Sequence, residues 1–208
     1  MALLKTYEAG EIEPVSTTAD RARIAAQLDE LGVRLEQVYL PGVVPDLDAA
    51  QDEIIESCRQ QVNGLMQDHA FSGIDALTLH ADTPDLDRIR RNCLREHCHS
   101  ADEGRLILAG QALFCLRGHA GSVYALFCSP GDFILLPANV PHWFDPGRAP
   151  RLCAVRFFGE GSQYRPVDED GPESKRPPGL DDARGQAAMP MSGLTRGRAG
   201  GRMPAAPT

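Results

Sequence analysis

Apolar residues near the start of the chain recur at the spacing of an amphipathic helix. Ile24, Leu28 and Leu31 fall at i, i+4 and i+7, which places them on one helical face. The helix is expected to begin after Ser16–Thr18, because hydroxyl side chains favour helix N-termini. Gly32 follows the last apolar position and gives a stop signal. The pattern therefore predicts a short helix that packs one face against a core.

The rest of the first 95 residues combines helical and alternating patterns. A second helix is predicted from Asp46 to about Met66, with an apolar stripe that suits core packing. Arg34–Leu40 alternates like an edge strand, and Ile74–His80 has the composition of another strand. Asp85–Leu94 is predicted to be a short helix or turn. Residues 1–95 are thus expected to supply helices and edge strands.

From Glu96 to Phe158 the pattern changes to short apolar runs separated by turns that are rich in glycine and proline. Regularly spaced strands of this kind are typical of a closed barrel or a double-sheet jelly roll. The fold is therefore predicted to be mainly β with N-terminal helices, in the α+β class. The predicted strands are Leu106–Leu108, Gln111–Leu116, Val123–Phe127, Phe133–Leu136 and Leu152–Phe158.

The end of the chain differs in composition from everything before it. No aromatic residue follows Tyr164, and prolines, glycines and charged residues dominate residues 165–208. Such a segment buries too little apolar surface to offset the entropy lost on ordering, so it is predicted to be disordered. Residues 1–164 are predicted to form a single domain, with 96–158 as its barrel core.

Composition narrows the class of protein. The formal net charge of −8 gives no basic surface for a phosphate backbone, so no nucleic-acid partner is expected. No apolar run approaches the roughly 20 residues that cross a membrane, and the first residues lack a signal-peptide layout. The six cysteines form no C-x-x-C pair and are expected to be free thiols. We expect a monomer in the cytoplasm.

Four side chains that can bind a metal occur in a compact pattern, His97-x-His99-x3-Glu103 with His142 downstream. Residues i and i+2 of a strand point to one face, so His97 and His99 can reach one ion side by side. The three-residue gap lets the chain turn before Glu103. Three imidazoles and one carboxylate leave two positions open on an octahedral ion. That set suits Fe(II), Ni(II) or Mn(II) and a substrate that chelates through two oxygens.

Glycines and prolines around the ligands extend the pattern. Six residues separate Glu103 from Gly110, and five separate Gly131 from Pro137. With the four ligands, this spacing resembles the two metal-binding motifs of the cupins. Asparagine tolerates a positive φ better than most residues, so it can replace a motif glycine in a tight turn. None of the departures from the motifs falls on a ligand; they are Arg91, Asn139 and Pro146.

Within the cupins, the chain is most similar to the acireductone dioxygenases, from about residue 1 to about Phe158. The resemblance implies a cupin double-stranded β-helix, that is, a jelly-roll barrel. It also implies one Fe(II) or Ni(II) per chain and O2 as co-substrate. The matching words are Glu96-His97-x-His99-Ser100-x-Asp102-Glu103-x-Arg105, Leu113-Phe114-Cys115-Leu116 and Pro141-His142-Trp143-Phe144-Asp145.

The activity implied by this resemblance is the cleavage of acireductone by O2 in methionine salvage. In that family, the iron form yields formate and 4-methylthio-2-oxobutanoate. The nickel form yields formate, carbon monoxide and 3-methylthiopropanoate. The sequence does not select the metal, because both ions accept three histidines and one glutamate.

Arg105 is the first candidate for binding the substrate. It lies two residues after Glu103, so both side chains point into the barrel if the strand is regular. A buried guanidinium needs an anionic partner, which is either the substrate or a carboxylate within the barrel. The resemblance implies that Arg105 holds the oxygens of acireductone.

Three further residues are candidates with two interpretations each. Phe144, two residues after His142, either lines the cavity beside the thioether arm of the substrate or is an ordinary core aromatic. Arg156 either faces the cavity beside Arg105 or belongs to an edge strand. Glu96 either orients a ligand imidazole or is a solvated acid.

Two other functions are compatible with a cupin metal site. One is a sensor or storage module that binds a metal and a small molecule without turnover. The other is a dioxygenase for a different enediol. Gly104 and Leu106 stand where acireductone dioxygenases usually carry bulkier residues, and Trp143 is the only tryptophan of the chain, which keeps both alternatives open.

Overall fold

The computed structural model describes residues 1–43, 45–167 and 176–182. Its α-helices are α1 Arg21–Asp29, α2 Gln51–Ser57, α3 Arg59–Asp68 and α4 Leu86–Cys93, and a 3-10 turn spans His119–Gly121. The strands are β1 Leu3–Tyr7, β2 Ser16–Thr18, β3 Arg34–Gln37, β4 Gly73–His80, β5 His97–His99, β6 Glu103–Ala109, β7 Ala112–Arg117, β8 Val123–Cys128, β9 Asp132–Leu136, β10 His142–Asp145, β11 Arg151–Phe158 and β12 Tyr164–Pro166.

Strands form two antiparallel sheets that pack face to face. We call the seven-stranded sheet, in the order β12-β5-β10-β7-β8-β1-β2, the histidine sheet, because it carries His97, His99 and His142. We call the five-stranded sheet, in the order β3-β9-β6-β11-β4, the charged sheet, because it carries Glu103 and Arg105. Buried residues from both sheets interleave in one core, among them Phe114, Leu116, Leu126, Ile107, Ile134 and Ala154. The prediction of a mainly β fold with N-terminal helices is confirmed.

Alternation along the strands gives each sheet two apolar faces. On β11 the side chains of Leu152 and Ala154 pack into the core between the sheets, whereas Cys153 and Val155 belong to a second core on the outer face of the charged sheet. Helices α2 and α3 cover this outer face. Both faces of β11 are therefore buried, which explains why its sequence is an almost continuous apolar run.

The first predicted helix is confirmed as α1. Its N-cap is Asp20, whose carboxylate accepts hydrogen bonds from the backbone N–H groups of Ala22 and Arg23. Ile24 and Leu28 are fully buried, as their spacing predicts. Ser16–Thr18, expected to lead into this helix, instead form β2 at the edge of the histidine sheet.

The prediction of one continuous helix from Asp46 to Met66 is wrong. The chain breaks between α2 and α3 at Cys58, whose φ of −128° and ψ of 25° lie outside the helical region. The thiol of Cys58 is buried and donates to the carbonyl of Ile54. Ile54 of α2 and Val62 of α3 both pack against the charged sheet, on either side of the break.

Strands β3 and β4 lie at the two edges of the charged sheet. Arg34–Leu40, which contains β3, was predicted to be an edge strand. Each of the five strands predicted between residues 96 and 158 is also present. Sequence analysis missed β1, although it lies inside the histidine sheet between β8 and β2. Among the described residues, no helix is long and apolar enough to cross a membrane.

Part of the segment predicted to be disordered contacts the barrel. Leu180 is buried on the outer face of the histidine sheet, in a cluster with Trp143 and Leu113. Its backbone N–H donates to a carboxylate oxygen of Asp145 at 2.9 Å. For residues 176–182 the structure departs from the prediction, because one leucine and a few polar contacts suffice to anchor a short segment. Residues 168–175 and 183–208 lie outside the described part of the chain.

Candidate metal centre

Three of the four predicted ligands converge at one end of the barrel. His97 and His99 share a face of β5, and His142 of β10 lies directly opposite His97 in the sheet register. One ring nitrogen from each of the three side chains lies within 4.8 Å of the others. The ring centroids of His97 and His142 are 4.4 Å apart. This spacing is suitable for three imidazoles around a single cation.

Backbone carbonyls orient two of the rings. Nδ1 of His97 is 2.8 Å from the carbonyl oxygen of Arg95, and Nδ1 of His142 is 2.9 Å from that of Val140. A carbonyl only accepts, so each Nδ1 carries the proton and donates it. Each Nε2 then keeps its lone pair for a metal. Asn139, with a φ of +64°, makes the turn before β10 and donates its N–H to the carbonyl of His99.

Burial keeps the imidazoles of His97 and His99 neutral. Desolvation is the main reason why the pKa of His97 is lowered to about 4; the nearby rings of His142 and His99 add to this effect, while the hydrogen bond to Arg95 and the charge of Glu103 oppose it. Desolvation is also the main reason why the pKa of His99 is lowered. At neutral pH these two side chains are therefore unprotonated, which is the form that binds metals.

Glu103 reaches the same place from the charged sheet. Its Oε2 is 3.2 Å from Nε2 of His142 and 3.4 Å from Nε2 of His99. Burial acts to raise the pKa of Glu103, but the guanidinium of Arg105 and the two imidazoles outweigh it, so the pKa lies well below its usual value. The carboxylate is thus ionised although it is fully buried.

Several polar atoms of this cluster are unsatisfied. Both carboxylate oxygens of Glu103 and Nε2 of His99 are buried and have no hydrogen-bond partner among the described residues. A buried polar atom without a hydrogen bond costs about 1–3 kcal/mol, and for Glu103 only the ion pair with Arg105 offsets this cost. A divalent cation between the imidazoles and the carboxylate would satisfy them all. The residues present therefore fit a metal ion.

Arg105 lies on the inner face of the charged sheet, as predicted. Its guanidinium forms an ion pair with Glu103 and lies 5.9 Å from the ring centroid of Phe158. Desolvation lowers the pKa of Arg105, although the charge of Glu103 opposes this effect. The carboxylate partner that sequence analysis considered is therefore present, and it is the predicted metal ligand itself.

Arg156 also faces the interior, directly opposite Arg105. The alternative that it belongs to an edge strand is wrong, because β11 lies between β6 and β4. Its partner is Asp75 on β4, which accepts hydrogen bonds from Nε and Nη2 of Arg156. Sequence analysis did not single out Asp75, because a lone acidic residue in a strand pattern resembles an ordinary exposed position.

Phe144 lies beside Phe114, with a ring-centroid distance of 5.0 Å, and is partly buried at the margin of the core between the sheets. It therefore packs as a core aromatic and still presents part of its ring to the opening. Tyr164 was missed as a site residue. Its half-exposed ring stacks on His97 at 4.6 Å, because β12 pairs with β5.

Glu96 has neither of the roles expected for it. Its carboxylate accepts two hydrogen bonds from Arg117, at 3.1 Å from Nε and 2.6 Å from Nη2. The guanidinium of Arg117 lies over the ring of Trp143 at 5.1 Å. The alternation places Glu96, which directly precedes β5, on the face away from His97, and its carboxylate binds Arg117 of β7 across the intervening strand β10.

Fold and donor set together define a metal-binding cupin. A model of the ARD/ARD′ family matches residues 25–165. This chain belongs to that family.

Several relatives named as acireductone dioxygenases align with most of this chain. An acireductone dioxygenase from Alcanivorax borkumensis is 40% identical over 139 residues, which are 67% of this chain and 76% of that protein. Another, from Synechococcus elongatus, is 40% identical over 147 residues, or 70% and 73% of the two chains. An acireductone dioxygenase from Acidiphilium cryptum is 35% identical over 165 residues, 79% of this chain and 91% of that one.

A solved structure shares the fold. The acireductone dioxygenase from Bacillus anthracis, which has a cadmium ion in its active center, superposes with a TM-score of 0.68. The alignment covers 77% of this chain and 94% of that chain at 24% identity.

Proposed function

We propose that this chain is an acireductone dioxygenase of methionine salvage. In this reaction O2 cleaves 1,2-dihydroxy-5-(methylthio)pent-1-en-3-one. The family membership and the names of the curated relatives support this activity. The observation that carries it in the structure is the set of buried ligand atoms on His99 and Glu103 that lack a hydrogen bond, beside a buried guanidinium. A scaffold rarely tolerates such groups without a function.

The proposed ligands are His97, His99, Glu103 and His142, which would hold one Fe(II) or Ni(II) per chain. A bound ion of this kind supplies a Lewis acid with two open positions for the oxygens of an enediolate. The backbone-held imidazoles fix where that ion lies, because their Nε2 atoms already point to one place. The choice between iron and nickel decides between the two product sets.

Arg105 is proposed to bind the anionic form of the substrate. Its guanidinium lies next to Glu103 and is almost free of water, so its attraction for a further anion is only weakly screened. This charge favours the deprotonated enediol, which is the electron-rich form that reacts with O2. Phe144 at the margin of the core is proposed to contact the thioether arm and to exclude water there.

The departure at Gly104 does not leave a defect in this site. A Cβ at that position would lie 2.8 Å from the ring of Phe133 and 3.0 Å from Cβ of Phe157. The ring of Phe133 and the Cβ of Phe157 therefore occupy the space that a bulkier residue would fill. Gly104 also points to the helix side of the charged sheet, away from Glu103 and Arg105.

Turnover of acireductone tests the proposal. The apoprotein is loaded with Fe(II) or Ni(II), acireductone is added without oxygen, and loss of the enediol absorbance is followed once oxygen is admitted. We expect rapid loss with wild type and with His119→Ala, a control histidine outside the site, but not with His142→Ala. Carbon monoxide should form with nickel and not with iron. Metal binding without consumption of the enediol would favour the non-catalytic cupin instead.

We further propose that the chain acts as a monomer in the cytoplasm. A chain with a net charge of −8 repels its own copies at low salt, which supports a monomer. Light scattering of the metal-loaded protein should give a mass near 22.6 kDa. A mass of twice this value would exclude the monomer.

A further inference from the structure

Charged side chains form a row on the inner face of the charged sheet, leading from the metal centre toward solvent. Arg156 lies opposite Arg105 on one side and opposite Asp75 on the other. Glu103 shares the face of Arg105, two residues earlier on β6. The exposed fraction of the side chain rises from 1% for Glu103 to 14% for Arg105 and 33% for Arg156. The row therefore runs from the buried ligand toward the edge of the charged sheet, and we call its more exposed end, at Arg156 and Asp75, the mouth.

Two cations are neighbours in this row. The guanidinium carbons of Arg105 and Arg156 lie 5.9 Å and 5.5 Å from the same ring, that of Phe158. Like charges directly opposite each other destabilise a sheet, so each cation needs its own anion. Arg105 has Glu103, and Arg156 has Asp75. The contact between Arg156 and Asp75 has two prongs, which fixes the plane and the direction of the guanidinium.

This pairing decides which cation can receive an anionic substrate. Glu103 would share its charge with a bound ion, which would leave Arg105 to attract the enediolate, whereas Asp75 cancels the charge of Arg156. If Asp75 were neutral, Arg156 would be free to rotate and would add a positive charge at the mouth. An anion would then be held there, short of the open coordination positions.

We propose that Asp75 is a positioning residue, which holds Arg156 so that the substrate anion settles beside Arg105 and the metal ligands and not at the mouth. This inference rests on the proposed function. Asp75 acts through Arg156 and does not touch the substrate. Its effect is to prevent non-productive binding.

The test replaces Asp75 by Asn in the metal-loaded protein, which keeps the shape and removes the charge. The probe for binding is ascorbate, a stable enediolate, titrated without oxygen. We expect Asp75→Asn to bind ascorbate about 5-fold more tightly, as expected for release of a partly exposed ion pair. With acireductone, kcat and KM should fall together and leave kcat/KM near the wild-type value, which is the signature of non-productive binding. A loss of support for the fold would instead lower the melting temperature or kcat/KM.

Three further variants isolate the mechanism. Asp75→Glu keeps the charge and should restore wild-type constants. In an Arg156→Met background, Asp75→Asn should have no further effect, because the guanidinium that Asp75 holds is absent. Glu56→Gln is the matched control, since it frees an exposed arginine, Arg59, on the outer helices with the same change in charge.

Unchanged ascorbate affinity and KM in Asp75→Asn, or equal effects with and without Arg156, would overturn the proposal. The double variant carries the test if the single variant does not fold, because it leaves no unpaired charge. It should bind ascorbate like wild type, and weaker binding would show that Arg156 itself holds the anion. Failure of wild type to consume acireductone would reject the proposed function, whereas the ascorbate comparison would still test Asp75.

Discussion

The two sheets contribute different chemistry to the same centre. The histidine sheet supplies imidazoles: backbone carbonyls orient those of His97 and His142, and burial keeps those of His97 and His99 neutral. The charged sheet supplies ionised groups, Glu103 and Arg105, which stabilise each other. Neutral ligands can be fixed by the backbone alone, whereas buried charges need partners. We therefore expect the histidine sheet to govern metal retention and the charged sheet to govern both metal retention and substrate binding.

The largest loss of metal and of activity is expected from removing a metal ligand from either sheet. His99→Ala and Glu103→Gln should each empty or loosen the metal site and lower kcat/KM by about 1,000-fold, since the chelating cation is lost. The apolar core is intact in both variants, although Glu103→Gln leaves the buried guanidinium of Arg105 without its partner and should also lower the free energy of unfolding. Metal analysis after dialysis is the measurement. Full occupancy in both His99→Ala and His142→Ala would eliminate the proposed centre.

Arg105→Met separates the two tasks of the charged sheet. No ligand is altered, so the ion should be retained, yet kcat/KM should fall on the order of 100-fold through loss of a desolvated ionic contact. Arg105→Lys should recover only part of the rate, because a point charge cannot reproduce a two-pronged contact. Near-normal turnover of the metal-loaded Met variant would identify Arg105 as only the ion-pair partner of Glu103.

Acid should weaken the metal-free protein through the histidine sheet. The pKa of His97 is about 4 when folded and near 6.5 when unfolded, so between these values only the unfolded chain takes up the proton. Stability is therefore lost as the pH falls, by about 2 kcal/mol between pH 7 and pH 5 from this residue. Urea unfolding at several pH values measures the slope.

His97→Gln should flatten that slope, and the exposed-site control His119→Gln should not. The lowered pKa of Glu103 acts in the same direction at lower pH, because its stabilising charge is lost on protonation. An equal slope in wild type and His97→Gln would assign the acid sensitivity to other groups.

The smallest effect, on stability alone, is expected from substitutions on the outer faces of the two sheets. Helices α2 and α3 cover the charged sheet, whereas the segment around Leu180 covers part of the histidine sheet. We propose that the folded unit extends to Asp182. Leu180→Ala should then lower the free energy of unfolding by about 1–2 kcal/mol, less than is usual for a buried leucine because a terminal segment can detach.

Thermal melts of three proteins check this boundary. Leu180→Ala and a truncation after residue 167 should both melt several degrees below wild type. Asp182→Asn, which removes only an exposed ion pair with Arg148 at 3.5 Å, should melt with wild type. An unchanged melting point after truncation would return the boundary to residue 164.

Patterns that depend on local periodicity predicted the fold well. Helix α1, the strands of the barrel core and the i, i+2 histidines follow from rules that act within a few residues. The break at Cys58 was not predictable in this way, because the apolar stripe of Ile54, Cys58, Val62 and Leu65 continues through it at helical spacing. Strand β12 was not predicted either, because Tyr164 acquires its place only by pairing with β5, far away in the sequence.

Within the site, the ligands were easier to predict than their partners. His97, His99 and Glu103 lie within seven residues, whereas Asp75 and Arg156 are 81 positions apart in the sequence. Glu96 shows the limit of reasoning from neighbours, because its bond to Arg117 spans two strands that no local pattern connects. Charge partners across a sheet are set by register, which depends on the whole fold.

Orientation of His97 and His142 by main-chain carbonyls has an evolutionary consequence. The oxygens that accept from these rings belong to Arg95 and Val140, and every amino acid carries the same oxygen there. Mutations at both positions can thus accumulate without turning the rings, provided that the backbone keeps its course. The orientation of these two imidazoles is therefore conserved as long as the backbone path is conserved, whichever side chains occupy the neighbouring positions.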